Sequence, residues 1–214
     1  MTEQFKFDEK HLEKITKNYE KFVSFCTTLG DRTAAVNELI EHLGERLVTC
    51  SASSRVDYHN AWPGGLVDHS LRVLTCAIKI AKSMEVNVSK ESLVLSCLFH
   101  DIGKVGSLTA DAYLPETSAW HKERGRVYTP NYDIQYMTSA HRGLFLLQHF
   151  DVKLTEDEFM AILLNDGPEA DENRVYSMKE PTLAVIVHMA DRMACEIEKL
   201  DAQKKLESEK ESGQ

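Results

Sequence analysis

Residues 93–105 read LVLSCLFHDIGKV, and this stretch decides how the 214-residue chain folds. It is an apolar run that ends in two adjacent ionisable side chains, His100 and Asp101, followed by Gly103 and Lys104. Burying an imidazole and a carboxylate side by side costs several kcal/mol unless they are paired or coordinated. A divalent metal would offset that cost, and imidazole and carboxylate are ligands that transition metals accept. The doublet therefore predicts a metal site at the end of a buried helix.

Apolar residues recur at helical spacing over most of the chain, so an all-α fold is predicted. The helix that contains the opening stretch has Ser89 as a candidate N-cap and Gly103 as a candidate C-cap. Thr155 and Glu158 form a capping-box pattern at the start of another helix. The pattern predicts helices near residues 12–22, 36–47, 64–82, 90–102, 140–150, 155–165 and 181–200.

Residues 106–137 break the helical rhythm with Gly, Pro, Tyr and Trp residues and short alternating pieces. This composition predicts a long loop or a small β-hairpin, and insertions of this length often serve as lids or binding loops. The expected organisation is a set of N-terminal helices over residues 1–50 that pack on a bundle formed by residues 51–200. Residues 201–214 form a charged tail that is expected to be disordered.

The composition excludes several classes of protein. A formal net charge of −9 at pH 7 disfavours a broad nucleic-acid surface, which needs many Lys and Arg contacts to phosphate. The N-terminus is polar, and no apolar run approaches the roughly 20 residues that span a bilayer, so a cytoplasmic protein without a membrane partner is expected. The five cysteines are odd in number and lack CxxC pairs, which predicts reduced thiols at Cys26, Cys50, Cys76, Cys97 and Cys195.

Further metal ligands must come from other helices. His69 lies near the start of the predicted helix 64–82, and Asp191 lies in the middle of the last helix, within HMADRMA. Three helices could therefore meet at one metal, although a buried ion-pair cluster without metal is the alternative. His59 is either a neighbour of this site or a simple loop residue, and His188 is expected to be a packed core histidine.

The order His69, then His100-Asp101, then Asp191 resembles the HD-domain superfamily of metal-dependent phosphohydrolases. The segments HNAWPGGLVDHSLRV, LFHDIGKV, SAHRGLFLL and VHMADRMA are similar to those of the branch that includes bacterial 3′→5′ exoribonucleases of the HD type and uncharacterised phage or bacterial HD hydrolases. The resemblance covers roughly residues 58–194. It implies a bundle of helices in which His69, His100, Asp101 and Asp191 bind one divalent metal.

A second metal is the less favoured expectation. Members of the family with two metals usually add histidines, one of which matches His141, but Asn165 and Asp166 stand where others are expected. His141 and Asp166 are therefore a candidate second site, and a polar helix end is the alternative. With one metal, His141 would contact the substrate phosphate or the attacking water. The ligand types suit Mn, Fe, Co, Ni, Zn or Mg.

The resemblance implies hydrolysis of a phosphoester by metal-activated water. Asp101 would orient the water, and Lys104, Arg72 and Arg142 are candidate phosphate ligands. For Lys104 and Arg72 the alternative is an ion pair with Asp68 or another local acid, and Arg72 follows Asp68 by four residues. The catalytic candidates are thus Asp101, Lys104 and His141.

The insertion carries the segment WHKERGRVY, which offers charge and an aromatic surface. Such a segment could hold a nucleotide, with Trp120 or Tyr128 on the base, although a solvated turn is the alternative. The expected substrate is a small nucleotide or a short oligonucleotide. A non-catalytic nucleotide sensor and a 3′→5′ exonuclease or phosphodiesterase on longer nucleic acid are the alternatives, and the N-terminal helices are candidates for a dimer surface. The candidate substrate contacts in the insertion are Trp120, Lys122, Arg124 and Arg126.

Overall fold

The computed structural model describes residues 8–212. It is an all-α bundle with one small two-stranded sheet, as the sequence predicted. The α-helices are α1 (Glu9–Cys26), α2 (Thr33–Leu43), α3 (Glu45–Thr49), α4 (Gly65–Ser83), α5 (Lys90–Phe99), α6 (Ala119–Glu123), α7 (Ser139–His149), α8 (Glu156–Leu163) and α9 (Thr182–Ser212). The strands are β1 (Tyr113–Pro115) and β2 (Tyr128–Pro130), and 3-10 turns cover Gly30–Arg32, Ile102–Val105 and Asp171–Tyr176.

Helix α4 packs against α9 and α5, which also contact each other. Helix α8 packs on α9 and α5, and α1 packs on α4. Phe22 of α1 meets Phe99 of α5 edge to face at 5.6 Å between ring centroids. The N-terminal helices and the central helices thus share one buried core.

The predicted caps of two helices are confirmed. The Ser89 hydroxyl accepts from the backbone N–H of Ser92 at the start of α5. At α8, Thr155 and Glu158 form both hydrogen bonds of a capping box, at 2.8 and 3.2 Å. These caps satisfy backbone donors at the first turn of each helix.

Gly103 has a different role from the predicted C-cap. Helix α5 ends at Phe99, with His100 in the cap position, and Gly103 lies in the following 3-10 turn. A Cβ atom on Gly103 would stand 2.0 Å from the carbonyl oxygen of Ser139, so only glycine allows α7 to approach so closely. This approach brings the first turn of α7 against the His100-Asp101 doublet.

The insertion is a hairpin, as predicted, with a short helix between its strands. Strands β1 and β2 pair antiparallel, with Tyr113 opposite Pro130 and Pro115 opposite Tyr128. The backbone N–H of Val127 donates to the carbonyl of Ser54 at 2.9 Å, which ties the insertion to the loop before α4.

The C-terminal segment of the structure differs from the disordered tail that the sequence predicts. Helix α9 continues to Ser212, through a segment expected to be disordered. Residues 202–212 contain Ala, Gln, Lys, Leu and Glu, which have high helix propensity and extend a helix already anchored in the core. Residues 213–214 of that prediction, and residues 1–7 at the other end, lie outside the described part. Over residues 8–212, none of the helices has the length and apolarity needed to cross a membrane.

Candidate metal centre

The four predicted metal ligands come together where α4, α9 and the end of α5 meet. His69 is fully buried, and its Nε2 atom lies 2.8 Å from Oδ1 of Asp191. The Nε2 atom of His100, also fully buried, lies 3.8 Å from the same oxygen and 3.4 Å from Oδ2 of Asp101. Two imidazole nitrogens and two carboxylates therefore surround one small volume.

The hydrogen bonds of the two imidazoles fit a metal. Nδ1 of His100 lies 2.9 Å from the carbonyl of Cys97, and Nδ1 of His69 lies 3.1 Å from a carboxylate oxygen of Glu198. Both partners only accept, so a neutral ring carries its proton on Nδ1 and turns the lone pair of Nε2 inward. Within residues 8–212, neither buried Nε2 atom has a hydrogen-bond partner of proper geometry. Buried polar atoms are rarely left in this state, and a divalent metal would satisfy both nitrogens.

The charges of the centre are strongly coupled. Burial alone would lower the pKa of His69, but the Asp191 and Glu198 carboxylates outweigh it and raise that pKa to about 9. Burial would raise the pKa of Asp191, yet the close imidazole of His69 and the charge of His100 lower it to about 2. Without metal, the cluster therefore holds a proton on His69. Metal binding would release that proton, because a ligating imidazole must be neutral.

Asp101 is held in place from two sides. Its Oδ2 atom lies 2.5 Å from Nζ of Lys104, and its Oδ1 atom accepts from the hydroxyl of Ser139 at 3.2 Å. Burial would raise the pKa of Asp101, but the charges of Lys104 and His100 keep it well below the ordinary value. The carboxylate is thus ionised and fixed in orientation, as a metal ligand requires.

Glu198 was not identified from the sequence, although it orients His69. Its side chain is buried, and it binds Nδ1 of His69 from behind, which is the usual arrangement for a carboxylate that supports a ligating histidine. It follows Asp191 by seven residues, so both side chains project from the same face of α9. This seven-residue spacing is the feature of the sequence from which Glu198 could have been identified.

Arg72 pairs with two acidic residues other than Asp68, and its contact with a phosphate stays a prediction. Nε of Arg72 lies 3.4 Å from Glu198, and its Nη2 atom lies 3.3 Å from Asp201. Asp68 binds Lys14 at 3.2 Å instead, and it also accepts from Asn18 and Asn60. Arg72 therefore supports the group that orients His69.

His59 is both a loop residue and a neighbour of the site. Its ring lies 4.5 Å from the ring of His69, and its Nδ1 atom lies 3.4 Å from Sγ of Cys195. Burial lowers the pKa of His59 to about 3, so the ring is neutral. Cys195, which the sequence analysis treated only as a buried thiol, follows Asp191 by one helical turn and lies 3.7 Å from its Oδ1 atom. Like the other four cysteines it is free.

Two cavities share the wall residue Asp166, and the first of them also reaches the centre through Asp191. One, of about 250 Å³, is lined by Asp191, Asp166, His59 and His188. The other, of about 230 Å³, is lined by Asp166 and His141. Nδ1 of His141 lies 2.7 Å from the hydroxyl of Thr138, the N-cap of α7. Asp166 and His141 thus share one cavity, and a second metal between them stays a prediction.

The predicted phosphate ligands of the insertion have other surroundings in the structure. The guanidinium of Arg124 stacks on the exposed ring of Trp120 at 3.7 Å, and Arg126 pairs through its backbone with Arg55. None of Trp120, Lys122, Arg124 and Arg126 lines the two cavities that share Asp166. Their contact with a substrate stays a prediction.

Arg142 contacts the backbone at the end of the insertion. It is buried, and its Nη2 atom donates to the carbonyl of Gln135 at 2.8 Å. In this arrangement the side chain fixes the end of the insertion against α7. Its contact with a substrate phosphate stays a prediction.

The comparisons with known proteins agree with this geometry. A family model described as HD domain matches residues 66–195, which include His69, His100, Asp101 and Asp191. No curated protein and no solved structure matches the chain. Membership of this family implies a metal-dependent hydrolase, and the His and Asp groups described above could bind a divalent metal. Since the match covers more than half of the 214 residues, the chain belongs to the HD-domain family.

Proposed function

We propose that the protein hydrolyses a phosphoester of a nucleotide or a short oligonucleotide. The observation that carries this proposal is the pair of buried Nε2 atoms, on His69 and His100, that face two carboxylates without hydrogen-bond partners of proper geometry among the described residues. An ammonium group, that of Lys104, lies beside the same centre.

His69, His100, Asp101 and Asp191 would hold the divalent metal. When bound, such an ion makes water a nucleophile near neutral pH and polarises the phosphoryl group. Glu198 keeps His69 in the tautomer that can ligate, and the carbonyl of Cys97 does the same for His100. Once His69 has released its extra proton, these contacts leave the lone pairs of both Nε2 atoms directed at the ion.

Lys104 would bind the substrate phosphate. Its ammonium has three donors, and one of them is directed to Asp101. The other donors could form charge-assisted hydrogen bonds to phosphoryl oxygens, which bear the charge that develops during hydrolysis. The carboxylate of Asp101, fixed by Lys104 and Ser139, would orient the attacking water.

The net negative charge of the protein favours a small substrate over a long nucleic acid. A net charge of −9 does not attract a long polyanion, so small nucleotides and short oligonucleotides are favoured. Manganese is the proposed metal for the assay, because a mixed imidazole and carboxylate site accepts it.

The test is the release of phosphate or nucleoside from a panel of mono-, tri-, cyclic and oligonucleotides in the presence of Mn²⁺. Multiple turnovers on the small substrates support the proposal, and the products separate a nucleotidase from a phosphodiesterase. Stoichiometric binding without turnover would indicate a nucleotide sensor instead. Preferred degradation of long strands would indicate a nuclease. His149→Ala is a matched control for His69→Ala, since His149 is an exposed histidine at the far end of α7.

A further inference from the structure

A cavity of about 630 Å³ lies between the N-terminal helices and the insertion. We call it the N-terminal cavity, and its walls come from α1, α3, the segment before α4 and the β1–β2 hairpin. Most of its lining residues precede residue 66, where the match to the HD domain begins. The cavity is therefore built largely by parts of this chain that lie outside the family match. Its apolar wall includes Leu12, Ile15, Val48, Pro63, Val105 and Pro115.

One end of the N-terminal cavity reaches the metal centre. Lys104 lines the cavity, and its Nζ atom lies 2.5 Å from Oδ2 of Asp101. Tyr113 lines the same end, and its phenol is close enough to the centre for the charges of Lys104 and Asp101 to act on its pKa, which burial raises. A molecule held at the centre by a phosphate could therefore extend into this cavity.

The charges in the wall favour a ligand that is neutral except at the Lys104 end. Arg46 is the other cationic residue of the lining, but its Nε atom binds Asp111 at 2.7 Å. Its Nη atoms donate to four backbone carbonyls, those of Val105, Ser107, Leu108 and Ala110. Arg46 thus supports the wall, and further phosphates would find no other cation among the lining residues.

The hairpin supplies aromatic surface at the place where the base of a nucleotide would lie. The rings of Tyr113 and Tyr128 have centroids 6.5 Å apart and are tilted by 44°. Both line the N-terminal cavity, opposite the apolar residues of α1 and α3. Bases stack on aromatic side chains of this kind. The hydroxyl side chains of Thr16, Thr49 and Ser51 also line the cavity and could form hydrogen bonds with the sugar.

From this geometry we propose that the N-terminal cavity binds the nucleoside part of a nucleotide substrate, while Lys104 and the metal centre hold its phosphoryl group. The proposal rests on the proposed function for the phosphoryl end only. It assigns substrate selection to α1 and α3, which precede the part of the chain that matches the HD domain, and to the β1–β2 hairpin, which lies within that part.

The first test compares two leucines that are equally exposed, Leu12 in the cavity wall and Leu200 on α9, each at 52%. Leu12→Trp places a large ring in the cavity, and Leu200→Trp is the matched control. The measured quantity is kcat/KM on nucleoside monophosphates divided by kcat/KM on 4-nitrophenyl phosphate, which has no nucleoside. For Leu12→Trp this ratio should fall by at least about tenfold, as is typical when a binding pocket loses shape complementarity. For Leu200→Trp it should keep the wild-type value. An equal loss on both substrates in Leu12→Trp would overturn the proposal.

The second test does not depend on catalysis. Adenosine, guanosine, cytidine and uridine are each mixed with the metal-free protein, and saturation-transfer NMR reports which base protons contact it. At least one nucleoside should give a signal with the wild type and with Leu200→Trp, and a severalfold weaker signal with Leu12→Trp. The absence of any signal, or equal signals in all three proteins, would overturn the proposal. If no metal supports hydrolysis of any phosphoester, the proposed function fails, and this test still decides whether the cavity binds nucleosides.

Discussion

Metal binding should stabilise the folded protein, since the ligands come from three separate helices. His69 lies on α4, His100 and Asp101 lie at the end of α5, and Asp191 lies on α9. These groups are adjacent only in the folded chain, so an ion that binds them favours that state. Adding Mn²⁺ or Ni²⁺ to the metal-free protein should therefore raise its Tm.

The magnitude follows from mass action. An ion at a free concentration of about 100 Kd stabilises the folded state by about 2.7 kcal/mol. In a chain of this length, each kcal/mol moves Tm by about 2–4 °C, so a rise of about 5–10 °C is expected. His69→Ala removes one ligand and should weaken Kd by at least about a hundredfold. At the same metal concentration the gain then falls to about 0.4 kcal/mol, or about 1–2 °C.

The assay is thermal unfolding of each variant with and without metal, so that every shift is measured against the metal-free form of the same variant. This subtraction removes the intrinsic cost of leaving Glu198 without its imidazole partner. His149→Ala should show the full wild-type shift. A shift of wild-type size in His69→Ala would refute the assignment of the centre, and so would the absence of any shift in the wild type combined with an elemental analysis that finds no metal.

Asp101→Asn should abolish turnover at saturating metal, because it keeps the shape of the side chain but removes a negative charge. The circular dichroism spectrum should stay native. Near-normal activity would exclude a catalytic role for the doublet. Arg32→Ala should lower the free energy of unfolding by about 3–5 kcal/mol, since it leaves Glu158, whose side chain is 1% exposed, without its partner at 2.7 Å. Urea unfolding measures this loss, and Arg174→Ala, which breaks an exposed pair with Asp171, should cost only about 0–1 kcal/mol. Burial would raise the pKa of Glu158, but Arg32 outweighs it and lowers that pKa. The contribution of the pair is therefore present above the unfolded-state pKa of about 4.3 and is lost as pH falls through the lower folded-state value. The difference between wild type and Arg32→Ala should accordingly shrink as pH falls below about 4.3, and a constant difference would argue against this pair as its source.

The sequence by itself determined the features that depend on neighbours within one or two helical turns. The apolar spacing predicted the helices, and Ser89 and Thr155 marked the starts of α5 and α8, because a cap binds backbone donors three residues away. The HD doublet also stood out locally, as two ionisable groups at the end of an apolar run. The assignment of the distant residues His69 and Asp191 to the same site came from the resemblance to a family rather than from their spacing in the sequence.

Only the tertiary structure decided which distant groups meet. Glu198 binds His69 across 129 positions of the chain, and Cys195 meets His59 across 136. Arg72 lies one turn from Asp68 yet pairs with Glu198, since the packing of α4 on α9 sets which carboxylate is within reach. Contacts of this kind depend on how helices cross, and the residues of one helix do not encode that crossing. The N-terminal cavity has the same origin, because its walls come from segments that the fold alone brings together.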